Sequence, residues 1–192
     1  MSIDNTRESI LNVADKLFSR FGFYKTSMDE IAKIARKAKG SLYYHFASKE
    51  ELFKEVVSVE IENFKKQLNK IVNNNELSSS EKIKQYFIKR MDVLNISTNY
   101  QETLKADFYE QFHFIDELRS ELEAWEKDKL KTIISNGVEK REFSPIKDID
   151  ILLDMFIMVS YGLEVPFFLQ DKYKHYSPYF ESLIGILTKG LS

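Results

Sequence analysis

The chain lacks cysteine altogether and holds three histidines among its 192 residues. Without thiols it has no disulfide and no thiolate metal site, which fits a reducing compartment. His113 and His175, even with acids such as Glu110 and Asp116 near the first of them, do not have the spacing of a metal site. We therefore predict no metal and no cofactor.

Catalytic signatures are missing too. No nucleophile, base and orienting group fall within a recognisable motif, and the chain has no glycine-rich phosphate-binding loop. The sequence predicts a protein that is not an enzyme.

Proline and glycine are scarce, with three and six residues, and no stretch alternates apolar and polar residues as a strand does. The apolar content of 43% is enough for one sizeable core or two small ones. We predict an all-α fold of about nine helices. Their expected positions are about 5–21, 27–35, 39–46, 48–72, 80–97, 101–113, 116–137, 147–170 and 176–190.

Long apolar runs without interruption are also absent. The most apolar stretch, ILLDMFIMVSYGLEVPFFL at 151–169, contains Asp154, Glu164 and Pro166, so we predict a buried helix rather than a membrane span. The first residues, MSIDNTRESI, have neither the basic nor the apolar part of a signal peptide. The expected location is the cytoplasm.

The net charge of −2 does not by itself indicate a nucleic-acid binder, but the charge is unevenly placed. Residues 1–50 hold nine Lys/Arg against six Asp/Glu, a net of +3, which leaves −5 for the remainder. The run 33–39 contains four basic residues and no acid. A basic patch is therefore predicted on an otherwise acidic molecule.

Local signals define the first helices. Gly22 follows an apolar stripe that includes Phe18 and Phe21, and is expected to cap the first helix in a left-handed conformation. Ser27 and Glu30 have the spacing of a capping box, in which the hydroxyl and the carboxylate each accept a backbone N–H. Ile31, Ala32, Ile34 and Ala35 would form the apolar face of that second helix.

The stretch KGSLYYHFASKEEL at 39–52 places Tyr43, Tyr44 and His45 side by side. On a helix successive residues are about 100° apart, so at least one of these rings must face solvent. Leu42 and Phe46, four residues apart, are the better candidates for the core. Ser48 and Glu51 form a second capping box, which opens a long helix through about residue 72.

Two short helices separated by a tight turn are typical of a helix-turn-helix motif, whose second helix enters the major groove of DNA. Gly40 would let the backbone approach a phosphate, and tyrosine hydroxyls are long enough to reach phosphate oxygens. His45 could contact phosphate or pack on the next helix. The predicted DNA-contacting residues are Thr26, Ser27, Met28, Arg36, Lys37, Lys39, Gly40, Ser41, Tyr43, Tyr44, His45 and Lys49.

The segments ILNVADKLFSRFGFYKTSMDEIAKIA and KGSLYYHFASKEELF resemble the N-terminal domain of the TetR family of transcriptional repressors. The resemblance covers residues 7–53. It implies an all-helical homodimer that binds a palindromic DNA operator and a small-molecule effector. It also implies a DNA-binding domain at 1–50, with its helix-turn-helix at about 27–46, and a ligand-binding and dimerisation domain at 51–192, reached through the connecting helix 48–72.

The chain departs from the family at one turn. Members usually have a Gly-Val-Ser-like sequence where this chain has Arg36-Lys37-Ala38. A left-handed conformation at Arg36 would cost roughly 1 kcal/mol, and Lys37 would have to extend its ammonium to solvent. The added cations predict extra phosphate contacts and a stronger dependence of DNA binding on salt.

Beyond the first domain the resemblance implies an effector pocket and a dimer interface. The pocket is predicted among Phe87, Met91, Leu104, Phe108, Phe112, Trp125, Met158 and Tyr161. Nearby acids (Glu102, Asp107 and Glu110) would favour a cationic ligand if they faced the pocket, and otherwise are surface residues. The predicted interface consists of Ile151, Met155, Val159, Gly162, Leu163, Phe180, Leu183, Ile184 and Leu187.

The sequence thus favours a dimeric repressor that releases its operator when it binds a small apolar or aromatic ligand. One alternative is an activator or co-repressor-dependent regulator with the same DNA-binding head. Another is a helical small-molecule carrier whose DNA-binding domain is idle.

Overall fold

The computed structural model describes residues 3–105 and 112–189, with the backbone alone at residues 3, 4 and 187. The chain forms two compact units. The first is built from Met1–Glu62 and Ser97–Ile115, and the second from Asn63–Ile96 and Asp116–Ser192. No β-strand occurs in the described residues, so the predicted all-α fold is confirmed.

The first unit contains the predicted helix-turn-helix. Its helices are α1 (Ile3–Phe21), α2 (Met28–Ile34), α3 (Lys39–His45), the first part of α4 (Lys49–Val72), and α6 (Thr98–Glu102). Both predicted capping residues of α2 are in place: the Ser27 hydroxyl accepts from the Glu30 N–H at 3.2 Å, and the Glu30 carboxylate accepts from the Ser27 N–H at 3.0 Å. The Ser27 N–H and the Ser27 hydroxyl both donate to the Glu30 carboxylate and lower its pKa.

Gly22 ends α1 as expected. Its φ is +82°, and its N–H donates to the Phe18 carbonyl at 2.8 Å. A Cβ at this position would also lie 3.1 Å from a carboxylate oxygen of Glu102. Both the left-handed backbone and the close approach of Glu102 therefore require glycine here.

The turn between α2 and α3 adopts the left-handed backbone conformation at Arg36, which costs free energy for a residue other than glycine. Arg36 has a φ of +54°, in the left-handed region. Lys37 is half-buried, and its Nζ donates to the Thr6 hydroxyl at 3.3 Å, so the side chain lies along α1. The departure from the usual turn is therefore accommodated by strain at Arg36 and by a polar contact at Lys37.

The core of the three-helix head includes Phe18, Ile31, Leu42 and Phe46, all at most 2% exposed. Two expectations for this core are wrong. Phe21 is 48% exposed and Ile34 is 55% exposed, although Ala35, the next residue of the predicted apolar face of α2, is buried.

The second unit contains the rest of α4 and the later helices. These are α5 (Ser79–Ile96), α7 (Phe114–Glu139), α8 (Ile149–Gly162), a π-helix (Val165–Leu169), α9 (Tyr173–Tyr176), a 3-10 turn (Ser177–Tyr179) and α10 (Phe180–Lys189). The helix expected at 101–113 is instead Thr98–Glu102 over its described part, and residues 106–111 lie outside the described residues. The two C-terminal helices are each divided, the first beside Pro166 and the second at Pro178.

Helix α8 has two apolar faces. Leu153 and Ile157 are buried within the unit, while Ile151, Met155 and Val159 are 61–62% exposed. The prediction that this segment forms a buried helix is therefore wrong for the single chain, because one apolar face of α8 is exposed. Within the described residues, Ile149–Leu169 is the one stretch long and apolar enough to cross a membrane by length and composition. The fully buried Glu164 lies inside this stretch.

Candidate nucleic-acid interface

Helix α3 carries an exposed pair of tyrosines beside an open stretch of backbone. Tyr43 is 44% exposed and Tyr44 is 75% exposed. Leu42, on the opposite face of the same helix, is fully buried in the core of the head. A Cβ added at Gly40 would meet no atom within 4 Å, so the space in front of this residue is open. The N-cap residue Ala38 provides no side-chain hydrogen bond to the start of α3, in contrast to the capped α2.

The cations near this surface differ in how firmly they are held. Lys39 forms an ion pair with Asp29 of α2 at 2.7 Å, with both side chains more than half exposed. The hydrogen bond and the charge of Asp29 raise the pKa of Lys39. The Lys39 ammonium also lies 6.0 Å from the centre of the Tyr43 ring. Arg36 is exposed on the adjoining turn.

Three predicted contact residues are not brought to this surface. Thr26 is 3% exposed, and its hydroxyl donates to the Gly22 carbonyl at 2.9 Å. Met28 is 7% exposed, in the core of the head. The Lys49 ammonium donates to the carbonyls of Phe23 and Thr26 at 3.1 and 3.3 Å, so it is engaged by the turn that follows α1. We therefore leave their side chains out of the candidate interface.

The remaining predicted residues lie at its edges. Ser27 is exposed, but its hydroxyl is held by the Glu30 carboxylate at 2.9 Å. Ser41 is half-buried, and so is His45, whose ring stacks edge-on against that of Tyr44 at 5.2 Å. The Tyr44 ring stays largely exposed beside this contact.

The predicted effector-pocket residues are divided between the first unit, the second unit and the residues outside the described part of the chain. Leu104 and Phe112 belong to the first unit, and Phe108 lies outside the described residues. In the second unit Met91 packs with Phe167 and Phe180, while Met158 is 73% exposed.

The other three pocket residues contact different partners. Trp125 is half-buried, with its ring 6.3 Å from that of Phe64, and Tyr161 lies 5.0 Å from the Arg90 guanidinium. Phe87 lines an apolar cavity of the second unit, and Met158 and Tyr161 together line a separate cleft of the same unit. Of the acids considered for a cationic ligand, Glu102 pairs with Lys105 at 2.5 Å, and Asp107 and Glu110 lie outside the described residues.

A buried ionic cluster, defined by Arg90, Glu126 and Glu164, was not predicted from the sequence. Arg90 is 1% exposed and donates to Glu126 at 2.9 Å and to Glu164 at 2.7 Å, both of which are fully buried. The Tyr86 hydroxyl also donates to Glu126, at 3.1 Å, and burial together with the Glu126 charge raises the pKa of Tyr86. Burial alone would lower the pKa of Arg90, but the two carboxylates outweigh it and keep the guanidinium charged.

The predicted interface residues differ in how far they are exposed in the second unit. Ile151, Met155, Val159, Gly162 and Leu183 are exposed, and Leu163 is half-buried. Phe180 and Ile184 are 7% and 4% exposed, so they pack inside their own unit, and the Leu187 side chain is not described. Large apolar residues outside the predicted interface are also exposed between the start of α8 and the end of α10: Leu152, Met158, Val165, Leu169, Tyr176, Tyr179 and Ile186.

Comparison with known proteins agrees with the helix-turn-helix geometry. Residues 10–56 match the family described as "Bacterial regulatory proteins, tetR family". The chain is 29% identical over 139 residues to the HTH-type transcriptional regulator QacR of Staphylococcus aureus (strain Mu50), covering 69% of this chain and 71% of that protein. It is also 29% identical to the HTH-type transcriptional regulator YhgD of Bacillus subtilis (strain 168), over 100% of this chain and 99% of that protein.

The fold is shared with solved regulators. The crystal structure of the transcriptional regulator FadR from Bacillus subtilis, in complex with stearoyl-CoA, superposes with a TM-score of 0.75 at 16% identity, covering 96% of this chain and 99% of that one. At this identity the likeness establishes the fold alone. In sequence, residues 10–56 match the tetR family of bacterial regulatory proteins, and the chain as a whole is similar to two HTH-type transcriptional regulators.

Proposed function

We propose that the protein is a homodimeric repressor that binds a palindromic operator and releases it when a small apolar or aromatic ligand binds. The observation that carries the DNA-binding part is the surface of α3, where two exposed tyrosines stand beside the open backbone of Gly40. An apolar core covers the opposite face of the same helix, so the aromatic side chains are not needed there for folding.

Phosphate contacts are the role that best fits these side chains. A tyrosine hydroxyl can donate to a phosphate oxygen, and the stiff ring holds it at a defined distance from the backbone. Lys39 and Arg36 add positive charge at the same end of the motif. The His45 ring supports Tyr44 rather than competing with it for solvent.

A second copy of the chain is the proposed partner of the exposed apolar face on α8 and α10. Large apolar side chains seldom stand exposed in such numbers on one monomer, and a symmetric dimer would bury them on both copies. Two heads held in this way would read half-sites about one helical turn of DNA apart, roughly 34–36 Å.

Ligand release would follow from differential binding. A ligand can bind more tightly to a conformation in which the two heads are too far apart or too close together to reach both half-sites. Such a ligand weakens operator binding by the difference between its binding free energies for the two conformations, and coupling energies of roughly 1–3 kcal/mol are usual. The FadR structure holds stearoyl-CoA, so this fold has room for a small-molecule ligand in at least one member. We infer a cytoplasmic location, since the operator lies there.

DNA binding is tested by fluorescence anisotropy with labelled fragments from upstream of the protein's own coding sequence. We expect a saturable complex that unlabelled random DNA displaces poorly. Replacing both Tyr43 and Tyr44 by alanine should weaken it at least tenfold, whereas Tyr24→Ala, which removes a tyrosine of similar exposure (49%) elsewhere on the head, should change it little.

The same assay separates the alternatives. No specific complex with any fragment would overturn the proposal in favour of a carrier. A complex that strengthens on addition of ligand would make the protein a ligand-dependent activator or co-repressor-dependent regulator instead.

A further inference from the structure

The second unit contains an apolar cavity of about 120 Å³ that none of the predicted pocket residues except Phe87 lines. Its walls come from α5, α7, α8 and α10. The lining residues are Ile83, Phe87, Leu130, Ile134, Leu152, Leu153, Phe156, Ile184 and Thr188.

Charge is absent from this lining, and one polar group is present. The Thr188 hydroxyl donates to the carbonyls of Ile184 and Gly185 at 3.0 and 3.2 Å, so its hydrogen is already used. A buried water needs two to four polar partners, and this cavity does not provide them. The space is therefore suited to an apolar occupant and poorly suited to water.

The side chains that line the cavity further restrict the size and the chemical class of the ligand. The rings of Phe87 and Phe156 lie 4.3 Å apart at an angle of 60°, and they form an aromatic wall opposite branched aliphatic side chains. An aliphatic and aromatic cavity of about 150 Å³ in another protein stays dry and binds benzene. A cavity of about 120 Å³ sets a similar or slightly smaller limit.

We propose that this cavity is the binding site for a small uncharged apolar molecule, no larger than about one benzene ring. The proposal deepens the proposed function and rests on it for its biological meaning, since it names the size and the charge of the effector. It places the site among α5, α7, α8 and α10, and it excludes charged ligands of the kind that Glu102 would attract.

Benzene is the probe, and the thermal midpoint of the full-length protein is the readout. At about ten times its dissociation constant, benzene should raise Tm by roughly 3–6 °C, as mass action requires for a ligand of the folded state. Benzoate and benzylammonium, which add a negative or positive charge to the same ring, should give no shift. A shift with either ion that equals that of benzene would overturn the uncharged class.

Cavity-filling variants locate the site. Ile83→Phe should abolish the benzene shift, whereas Ile96→Phe, on the same helix but 71% exposed, should keep it. Ile134→Phe fills the cavity from α7 and serves as the second blocking variant should Ile83→Phe not fold. Leu130→Ala enlarges the cavity and should admit naphthalene, which the unchanged protein should reject.

The proposal is overturned if benzene gives no shift, or if folded Ile83→Phe or Ile134→Phe protein shifts as the unchanged protein does. Operator binding is measured on the same preparations without benzene. A benzene shift without DNA binding keeps the cavity site and overturns the proposed function, and DNA binding without a benzene shift does the reverse.

Discussion

Single residues in the turn between α2 and α3 show how this chain keeps a helix-turn-helix with unusual side chains. Arg36 adopts the left-handed backbone that glycine adopts freely, and Lys37 contacts Thr6 through its ammonium. Lys39, two residues after Lys37, forms an ion pair with Asp29. The positive charge near α3 is thus partly restrained by the head itself.

Replacing Arg36 by glycine should stabilise the protein. Relief of the left-handed strain, roughly 1 kcal/mol, is partly offset by the extra chain entropy of glycine, so we expect the free energy of unfolding to rise by about 0.5 kcal/mol. Urea unfolding of the variant and the unchanged protein measures this difference in the free energy of unfolding. Lys33→Gly, in the exposed last turn of α2, should lower the same free energy by about 0.5–1 kcal/mol. A loss of stability in both variants would contradict the strain at Arg36.

Replacing Asp29 by asparagine should strengthen DNA binding. The change releases Lys39 from its 2.7 Å ion pair, which leaves the ammonium available to a phosphate. One additional phosphate contact makes the slope of log K against log salt steeper by about 0.9. Anisotropy titrations at several salt concentrations test this.

Glu123→Gln serves as the matched control for Asp29→Asn. It makes the same change of net charge on an exposed residue of α7, in the second unit, and should leave the slope unchanged. Equal slopes for Asp29→Asn and the unchanged protein would show that Lys39 does not reach the DNA.

Short helices in this molecule depend on side chains from other elements. Glu60 of α4 accepts from the N–H groups of Asn99 and Tyr100 at 3.2 and 2.7 Å, and so holds the start of the five-residue helix α6. Burial raises the pKa of Glu60 above its ordinary value of 4.5, against the lowering effect of these hydrogen bonds; the charge of Asp15 raises it further.

We expect the titration of Glu60 to contribute to the pH dependence of the free energy of unfolding. Because its pKa is raised in the folded protein, its stabilising contribution is fully present below pH 4.5 and is lost as the pH rises through the folded pKa. Glu60→Gln removes this titration. We therefore expect the stability of the variant relative to the unchanged protein to increase between pH 4 and pH 7, in urea unfolding at each pH.

Glu76→Gln is the control for that experiment, since Glu76 is exposed in the loop between α4 and α5. Its stability should follow the same pH curve as the unchanged protein. A relative stability of Glu60→Gln that stays constant, or falls, over this range would contradict the assignment.

The junction between α8 and the π-helix depends on the buried ionic cluster. Glu164 lies at this junction and accepts from Arg90 of α5. Glu164→Ala removes the 2.7 Å hydrogen bond from Arg90 but leaves Glu126 to balance the guanidinium charge, so we expect a loss of about 1.5–3 kcal/mol, the usual size for a hydrogen bond to a charged group. Asp154→Ala, which removes the exposed carboxylate paired with Lys127, should cost less than about 1 kcal/mol.

Urea unfolding of the two variants compares the costs directly. Nearly equal losses for Glu164→Ala and Asp154→Ala would show that the cluster does not stabilise this junction.

For the whole molecule, the exposed apolar face of α8 is the proposed dimer interface. Val159→Glu places a charge on this face and should yield a monomer in sedimentation at micromolar concentration, with operator binding at least tenfold weaker. Val59→Glu makes the same change at a valine of similar exposure on α4 (53% against 62%) and should stay dimeric. A monomeric unchanged protein would contradict the dimer itself.

Prediction from sequence succeeded where the signal was local. The capping box at Ser27, the left-handed Gly22 and the burial of Leu42 and Phe46 all depend on neighbours a few residues away. It failed where a helix meets distant elements, as at Ile34 and Phe180. Thr26 has the right chemistry for a phosphate, but the chain bends so that its hydroxyl meets the Gly22 carbonyl instead.

The amino-acid sequence by itself determined the helices, the helix-turn-helix and the tyrosine-bearing face of α3, because helix periodicity and capping are written within one or two turns of chain. Tertiary structure decided which apolar faces are covered, which charges are buried and where a cavity remains. The physical reason is that α8 has apolar residues on more than one side, so its own pattern does not say which side its neighbours cover. Likewise, the pairing of Arg90 with Glu126 and Glu164 joins residues 36 and 74 positions apart, and packing of the helices is what brings them together.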